Sequence, residues 1–391
     1  MWNHVTSDRT SEILAFTPPL STTARALDNS PVRRCASRRE KGCLDFLYRQ
    51  DNWQATVTTD QCAGVGSLRG LVSRHFRRRD KTLAHDRFGV RWGLAGGTTL
   101  ATVKEVREAA RFADASGFDG LWVSHAMAVD PIVALACVGA EAPNLKEFGT
   151  SVVPLYGRHP IGLAQQAMTA QTALGGRFTL GIGAASKQQA EDRMGLAWDR
   201  PFSFTRDFVD GLQPLLAGQA AHVVGDQLTT RAKLDIAAPN TPILLAALGP
   251  RMLRFAGERV EGTTLGQCGP RTIATYVLPH LDAGAEAAGR DRPRVMALVR
   301  VCVTEDRSGA FALAQAISAR YQAIPSYARV LEKEGLADPA NLHLIGTWQE
   351  VLDGLAAYAE AGVSDLRIEV SAHTEAARDS TRMALAEYLR S

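Results

Sequence analysis

Four short runs in this chain carry residue types that could do chemistry. Trp122-Val123-Ser124-His125 ends an apolar, strand-length run with an imidazole, a group that exchanges its proton near neutral pH and can serve a reacting atom. A loop histidine without a role has about the same standing. Leu180-Gly181-Ile182-Gly183 places glycines on alternate positions. That strips one strand face of side chains, so a flat ligand or another backbone can approach; tight helix–strand packing explains the pair equally well. Leu248-Gly249-Pro250-Arg251 opens a helix with Pro at its first position. Its free amides would form an anion site, Gly249 leaves room for a phosphate, and Arg251 adds charge. A plain Gly-Pro turn is the common alternative. Arg158 can pair with phosphate or carboxylate groups, whereas His159, standing before Pro160, suits helix entry better than catalysis.

Each run needs a strand end to hold it, and the pattern from residue 88 onward supplies them. Phe148–Pro160 is the clearest case: a small and β-branched strand closed by Pro154, a polar loop, then a helix opening at His159-Pro160. Strand-length runs over 87–94, 119–124, 148–153, 178–182, 242–247, 262–265, 295–303 and 365–370 alternate with helix-length amphipathic segments. Residues 221–235 read as an inserted hairpin turning at Gly225-Asp226. Eight strands with interposed helices predict an α/β fold, a (β/α)8 TIM-type barrel with insertions. A doubly wound open sheet fits less well, because no early Gly-x-Gly-x-x-Gly turn with a following acidic residue is present.

The net charge of +3 conceals a split near residue 87. Residues 1–87 hold 15 Lys/Arg against 9 Asp/Glu, and the remainder 29 against 32. The first segment lacks sustained apolar periodicity and reads as a basic, low-structure leader, expected to be disordered. A nucleic-acid or membrane arm is the competing reading. Ser37-Arg38-Arg39 is not followed by the apolar stretch that an export signal needs. No apolar run reaches the ~18–20 residues of a membrane span. The six cysteines (35, 43, 62, 137, 268, 302) show neither metal-ligand spacing nor close pairing, which fits reduced thiols and a cytoplasmic protein. No metal, nucleic-acid or membrane partner is expected.

The motifs together resemble the luciferase-like superfamily of flavin and deazaflavin oxidoreductases. The resemblance rests on Gly149-Thr150-Ser151-Val152-Val153 followed by Arg158-His159-Pro160, on Gly176-Arg177-Phe178-Thr179-Leu180-Gly181-Ile182-Gly183, and on Ala247-Leu248-Gly249-Pro250. Leu163-Ala164-Gln165-Gln166, Asp199-Arg200-Pro201, Gly269-Pro270-Arg271-Thr272 and Ile324-Pro325-Ser326-Tyr327 add local matches in order. It runs from about Val90 to Val370. Relatives commonly begin at the equivalent of Val90-Arg91-Trp92-Gly93-Leu94, so the native start is expected near Val90, with residues 88–391 forming the barrel domain.

The resemblance implies coenzyme F420 as cofactor, with FMN as the alternative. It implies a hydride passed between the deazaflavin and a small organic substrate, and a homodimer. It assigns the cofactor bed to Ser151 and Val152, joined by a non-prolyl cis peptide, with Arg158 as an anion partner. Gly181, Gly183, Ala184, Ala185 and Ser186 would edge the ring and phosphate, and Leu248, Gly249, Pro250 and Arg251 would receive the phosphate. His125 stands where a reductase-like subgroup has Gln and is the candidate proton donor. Sugar-phosphate dehydrogenases of the family carry an acid near Ser186; none stands there, so glucose 6-phosphate oxidation is not expected. A monooxygenase using FMN, or a binding relative without catalysis, are the other readings.

Overall fold

In the computed structural model, which describes residues 87–97, 100–322 and 324–391, strands and helices alternate from Arg91 onward. The leader assignment (1–87) lies outside the described residues apart from Arg87. The strands are β1 (Arg91–Ala95), β2 (Gly120–Val123), β3 (Glu147–Thr150), β4 (Val153–Pro154), β5 (Phe178–Gly183), β6 (Ala221–Val224), β7 (Thr229–Ala232), β8 (Ile243–Leu245), β9 (Gly262–Leu265), β10 (Arg294–Val303), β11 (Leu344–Gly346) and β12 (Asp365–Val370). Parallel pairing runs β1-β2-β3-β5-β8-β9-β10-β12 and returns from β12 to β1, which closes an eight-stranded barrel. β4 continues the β3 segment alongside β5, β11 pairs with the end of β10, and β6–β7 is the antiparallel hairpin turning after Val224.

The helices are α1 (Val103–Ser116), α2 (Pro131–Val138), α3 (Pro160–Ala173), α4 (Pro201–Leu216), α5 (Pro250–Arg259), α6 (Leu278–Ala287), α7 (Arg307–Gln322), α8 (Pro325–Glu334), α9 (Trp348–Glu360) and α10 (Glu375–Arg390). Local chemistry sets their starts. Thr102 and Glu105 form a reciprocal capping box on α1, as Thr347 and Glu350 do on α9. Pro stands in the first turn of α2, α3, α4 and α5.

Strand alternation sorts side chains between two cores. Val295, Ala297, Val299, Leu366 and Ile368 join the large apolar layer between barrel and helices. The opposite faces point inward, where Trp122, Leu244 and Met296 form a separate buried cluster. Below this plug, at the strand N-termini, Arg294 bonds Glu147 (2.8 and 2.9 Å) and Asp365 (2.7 Å), and Arg91 joins Asp365 at 2.8 Å. The charges satisfy one another where water is excluded.

Three differences from the sequence reading have local causes. The first strand begins at Arg91 rather than Arg87, because Arg87–Gly89 forms a 3-10 turn in which Phe88 and Gly89 take positive φ. The 148–153 strand is split after Thr150. The Pro325–Glu334 helix and the three-residue β11 were not anticipated; β11 is too short to carry a period.

Candidate active site

At the C-terminal mouth the strand ends enclose a cavity of about 140 Å³. Ser124, Ser151 and Val152 line one side, Thr264 and Leu265 the next, and Leu298, Arg300, Arg367 and Glu369 the other, under Tyr321 and Tyr327. The Ser151–Val152 peptide is cis, and hydrogen bonds from three strands pin it. The Ser151 amide donates to Val123 O (2.9 Å), and its carbonyl accepts from Ser124 Oγ (2.7 Å) and Arg367 Nη1 (2.9 Å). Ser151 Oγ meets Thr264 Oγ1 at 3.1 Å, and the His125 amide donates to Val152 O at 3.3 Å. Such bracing is what a preorganised ligand bed requires.

The glycines behind this linker are steric necessities. A β-carbon at Gly181 would run into the Thr150 carbonyl oxygen, and one at Gly183 would lie 3.0 Å from Val152 Cγ2. Of the two openings the sequence left, neighbouring backbone fills the one at Gly181. Ala184 and Ala185 follow β5, with Ala185 at φ +61. Ser186 Oγ accepts from the Gln189 amide at 3.2 Å and so starts the next turn. Gly249 begins α5 with nothing within 4 Å of where its β-carbon would stand, and no capping side chain bonds the first-turn amides. Leu248 O accepts from Tyr276 Oη at 3.2 Å.

Of the predicted site residues, Ser151 and Val152 line the cavity and the others are outside its lining. Arg251 stacks 3.8 Å over Phe202 and lines a separate groove with Pro250 and Arg254. Arg158 pairs with Asp130, the N-cap of α2, at 3.3 Å. His125 contributes its backbone to the linker and is outside the cavity lining. Burial lowers its imidazole below the usual histidine value, Arg158 adds to this, and Asp130 opposes it. His159 caps α3, its Nδ1 accepting from the Ile161 amide.

Sequence reasoning missed the charged wall. Arg300 and Arg367 are 6% and 5% exposed. Arg300 sits 3.0 Å from Glu369 Oε2. Burial pushes Arg367 down to about 10, against the pull of Glu369 and with the push of Arg300. Tyr327 is pushed up to about 12, first by burial, then by Tyr321 and Cys268, with Arg367 and Arg300 opposing. The available signal was Asp365-Leu-Arg367-Ile-Glu369-Val, whose charges alternate on a buried strand. Among the described residues no group of His, Cys, Asp and Glu is placed to hold a metal ion, and no helix is long and apolar enough to cross a membrane.

A closed parallel barrel with a polar cavity at its strand C-termini defines a TIM-barrel enzyme. The model of the luciferase-like monooxygenase family matches residues 88–365, and the chain belongs to that family of oxidoreductases. It is 30% identical over 240 residues to 5,10-methylenetetrahydromethanopterin reductase of Methanolobus tindarius, covering 61% of this chain and 73% of the relative. The coenzyme F420 dependent tetrahydromethanopterin reductase of Methanopyrus kandleri superposes with a TM-score of 0.65 at 19% identity, covering 77% of this chain and 97% of that one. The FMN complex of the oxygenating constituent of 3,6-diketocamphane monooxygenase from Pseudomonas putida gives 0.60 at 18%, covering 77% and 96%. Both solved structures share the fold.

Proposed function

We propose that this chain is a coenzyme F420-dependent oxidoreductase that moves a hydride between the deazaflavin and a small organic substrate. The observation that carries the reading is the braced Ser151–Val152 backbone lining the cavity, two strands along the barrel wall from the uncapped start of α5. A flat ring fits against the first, and a phosphate on the open amides of the second. Relatedness to a methylenetetrahydromethanopterin reductase supports the choice of deazaflavin. When bound, the deazaflavin supplies a two-electron hydride donor or acceptor.

The chain's own residues do the rest. Ser124, Thr264 and Arg367 hold the linker in place. Ala184, Ala185 and Ser186 border the cofactor side of the mouth, and Leu248, Gly249 and Pro250 form the phosphate end. Tyr327 keeps its phenolic proton at neutral pH and faces the cavity. Exposed Met127 and Val133 beside α2 support a homodimer as part of the same reading.

The FMN-bound monooxygenase of the same fold supports a second reading, an FMN enzyme that activates oxygen. Titrating the full chain with F420 and with FMN, followed by fluorescence, separates them. Tight F420 binding with absorbance changes on adding enones, ketones or secondary alcohols is the expected result. FMN binding with oxygen uptake would establish the second reading, and binding of neither would remove both.

A further inference from the structure

Arg367 is a buried cation with no direct ion pair; Glu369 attracts it only from beyond contact distance. Its guanidinium donates to the Ser151 carbonyl, its Nε has no acceptor, and no carboxylate of the described residues lies within ion-pair distance of it. The carboxylate of Glu369 lies instead 3.0 Å from Arg300 Nε. At the rim, Arg320 donates to Tyr321 Oη at 3.0 Å and adds a third cation to the lining. Three arginines therefore face one acid around a single cavity. A desolvated guanidinium with spare N–H groups is unfavourable unless an anion completes it, and its planar fork matches a carboxylate.

This wall lies across the cavity from the strands expected to hold the cofactor and meets that side at the Arg367–Ser151 hydrogen bond. Ser151, Val152, Ala184–Ser186 and Leu248–Pro250 follow β3, β5 and β8, whereas Arg300 and Glu369 stand in register on β10 and β12, with Arg367 two residues before Glu369 and opposite Leu298. Leu298, beside Arg367, and Leu265, on the neighbouring β9, offer apolar surface. We propose that the substrate is a carboxylate whose anionic group sits on Arg367 and Arg300 and whose apolar body lies against Leu265 and Leu298. This rests on the oxidoreductase reading for the word substrate, while the anion site itself stands on the arginines.

The test is calorimetric titration of the full chain with benzoate and with its neutral isostere benzamide, with and without saturating F420. Benzoate is expected to bind at least about tenfold more tightly than benzamide, the scale of one charge-assisted contact. Arg367→Gln and Arg300→Gln are each expected to erase that preference, and F420 is expected to leave benzoate affinity unchanged. Equal affinity for the two probes, or benzoate preference retained in both variants, overturns the proposal. Competition between F420 and benzoate overturns it as well, because the anion would then belong to the cofactor. Should Arg367→Gln lose its native circular dichroism, Arg300→Gln and the wild-type probe ratio decide. F420 affinity, read separately by fluorescence, distinguishes the failures. Benzoate selectivity without F420 binding removes the proposed function and keeps the anion site; F420 binding without selectivity does the reverse.

Discussion

The indole of Trp122 occupies the space that a side chain at Gly149 would need: a β-carbon there would lie 2.1 Å from Trp122 Cζ3. Gly93, on the other neighbouring strand, yields the same room, its would-be β-carbon 2.6 Å from Trp122 Cδ1. Ala95, Trp122 and Gly149 are in register across β1, β2 and β3, and the ring lies against both glycines and forms, with Leu244 and Met296, the inner floor of the barrel. Gly149→Ala is therefore expected to cost about 1–3 kcal/mol by overpacking, with no strain term from φ. Urea denaturation measures it, and a loss indistinguishable from zero would mean that the floor can shift freely.

The ion layer under that floor makes a second prediction. Arg294→Met leaves Glu147 and Asp365, whose side chains are 15% and 4% exposed, with only the half-exposed Arg91 between them and without their buried cation. Removing one partner of a buried ion cluster costs about 3–5 kcal/mol. Arg91→Met should cost much less, because Arg91 is far more exposed and Arg294 still serves both acids. Equal losses in the two variants would show that the layer does not depend on Arg294.

Much of this barrel was legible because its outward strand faces and its helices follow the ordinary apolar periods. Strand ends such as Ser124-His125 and Gly249-Pro250 could then be placed without a structure. The charged wall was hidden by the same rule. Alternating Asp365, Arg367 and Glu369 suggest a solvent face on an open sheet, whereas closure turns that face inward. Arg251 shows the opposite error: its charge was legible, but its direction is set by stacking on Phe202, which lies 49 positions away in the chain. Tyr327 was visible only as part of a matching Ile-Pro-Ser-Tyr run, since nothing local places it over the barrel mouth.

His343 supplies a pH-dependent prediction. It is 8% exposed, its Nε2 lies 3.1 Å from Ser318 Oγ, and burial lowers it to about 3, with Arg300 adding to the shift and Asp338 opposing it. The folded value is below the unfolded one, so the unfolded chain binds the extra proton as pH falls below about 6.5. The native state should lose about 2 kcal/mol relative to a His343→Asn variant between about pH 6.5 and pH 5, at ~1.4 kcal/mol per unit. Above that window the difference should be flat. Parallel stability curves for wild type and variant through the window would contradict the burial argument.

If the proposed hydride transfer holds, Tyr327 and His125 are the two candidate sources of the accompanying proton. The Tyr327 phenol faces the cavity and, with its ionisation pushed up to about 12, remains protonated across the working range. His125 stands outside the lining and, lowered by burial, is largely neutral near pH 7. Tyr327→Phe removes a single oxygen and should lower kcat by about a hundredfold, the lower end for general acid catalysis. F420 affinity should stay within about twofold, since the phenol is a proton source rather than part of the cofactor bed. Its own ionisation should leave no limb in the rate profile below about pH 10, because the protonated, active form persists there. His125→Asn should leave turnover within a few fold. A His125 variant that loses turnover while Tyr327→Phe keeps it would reassign the proton to the imidazole, and pre-steady-state absorbance of the deazaflavin reads that split directly.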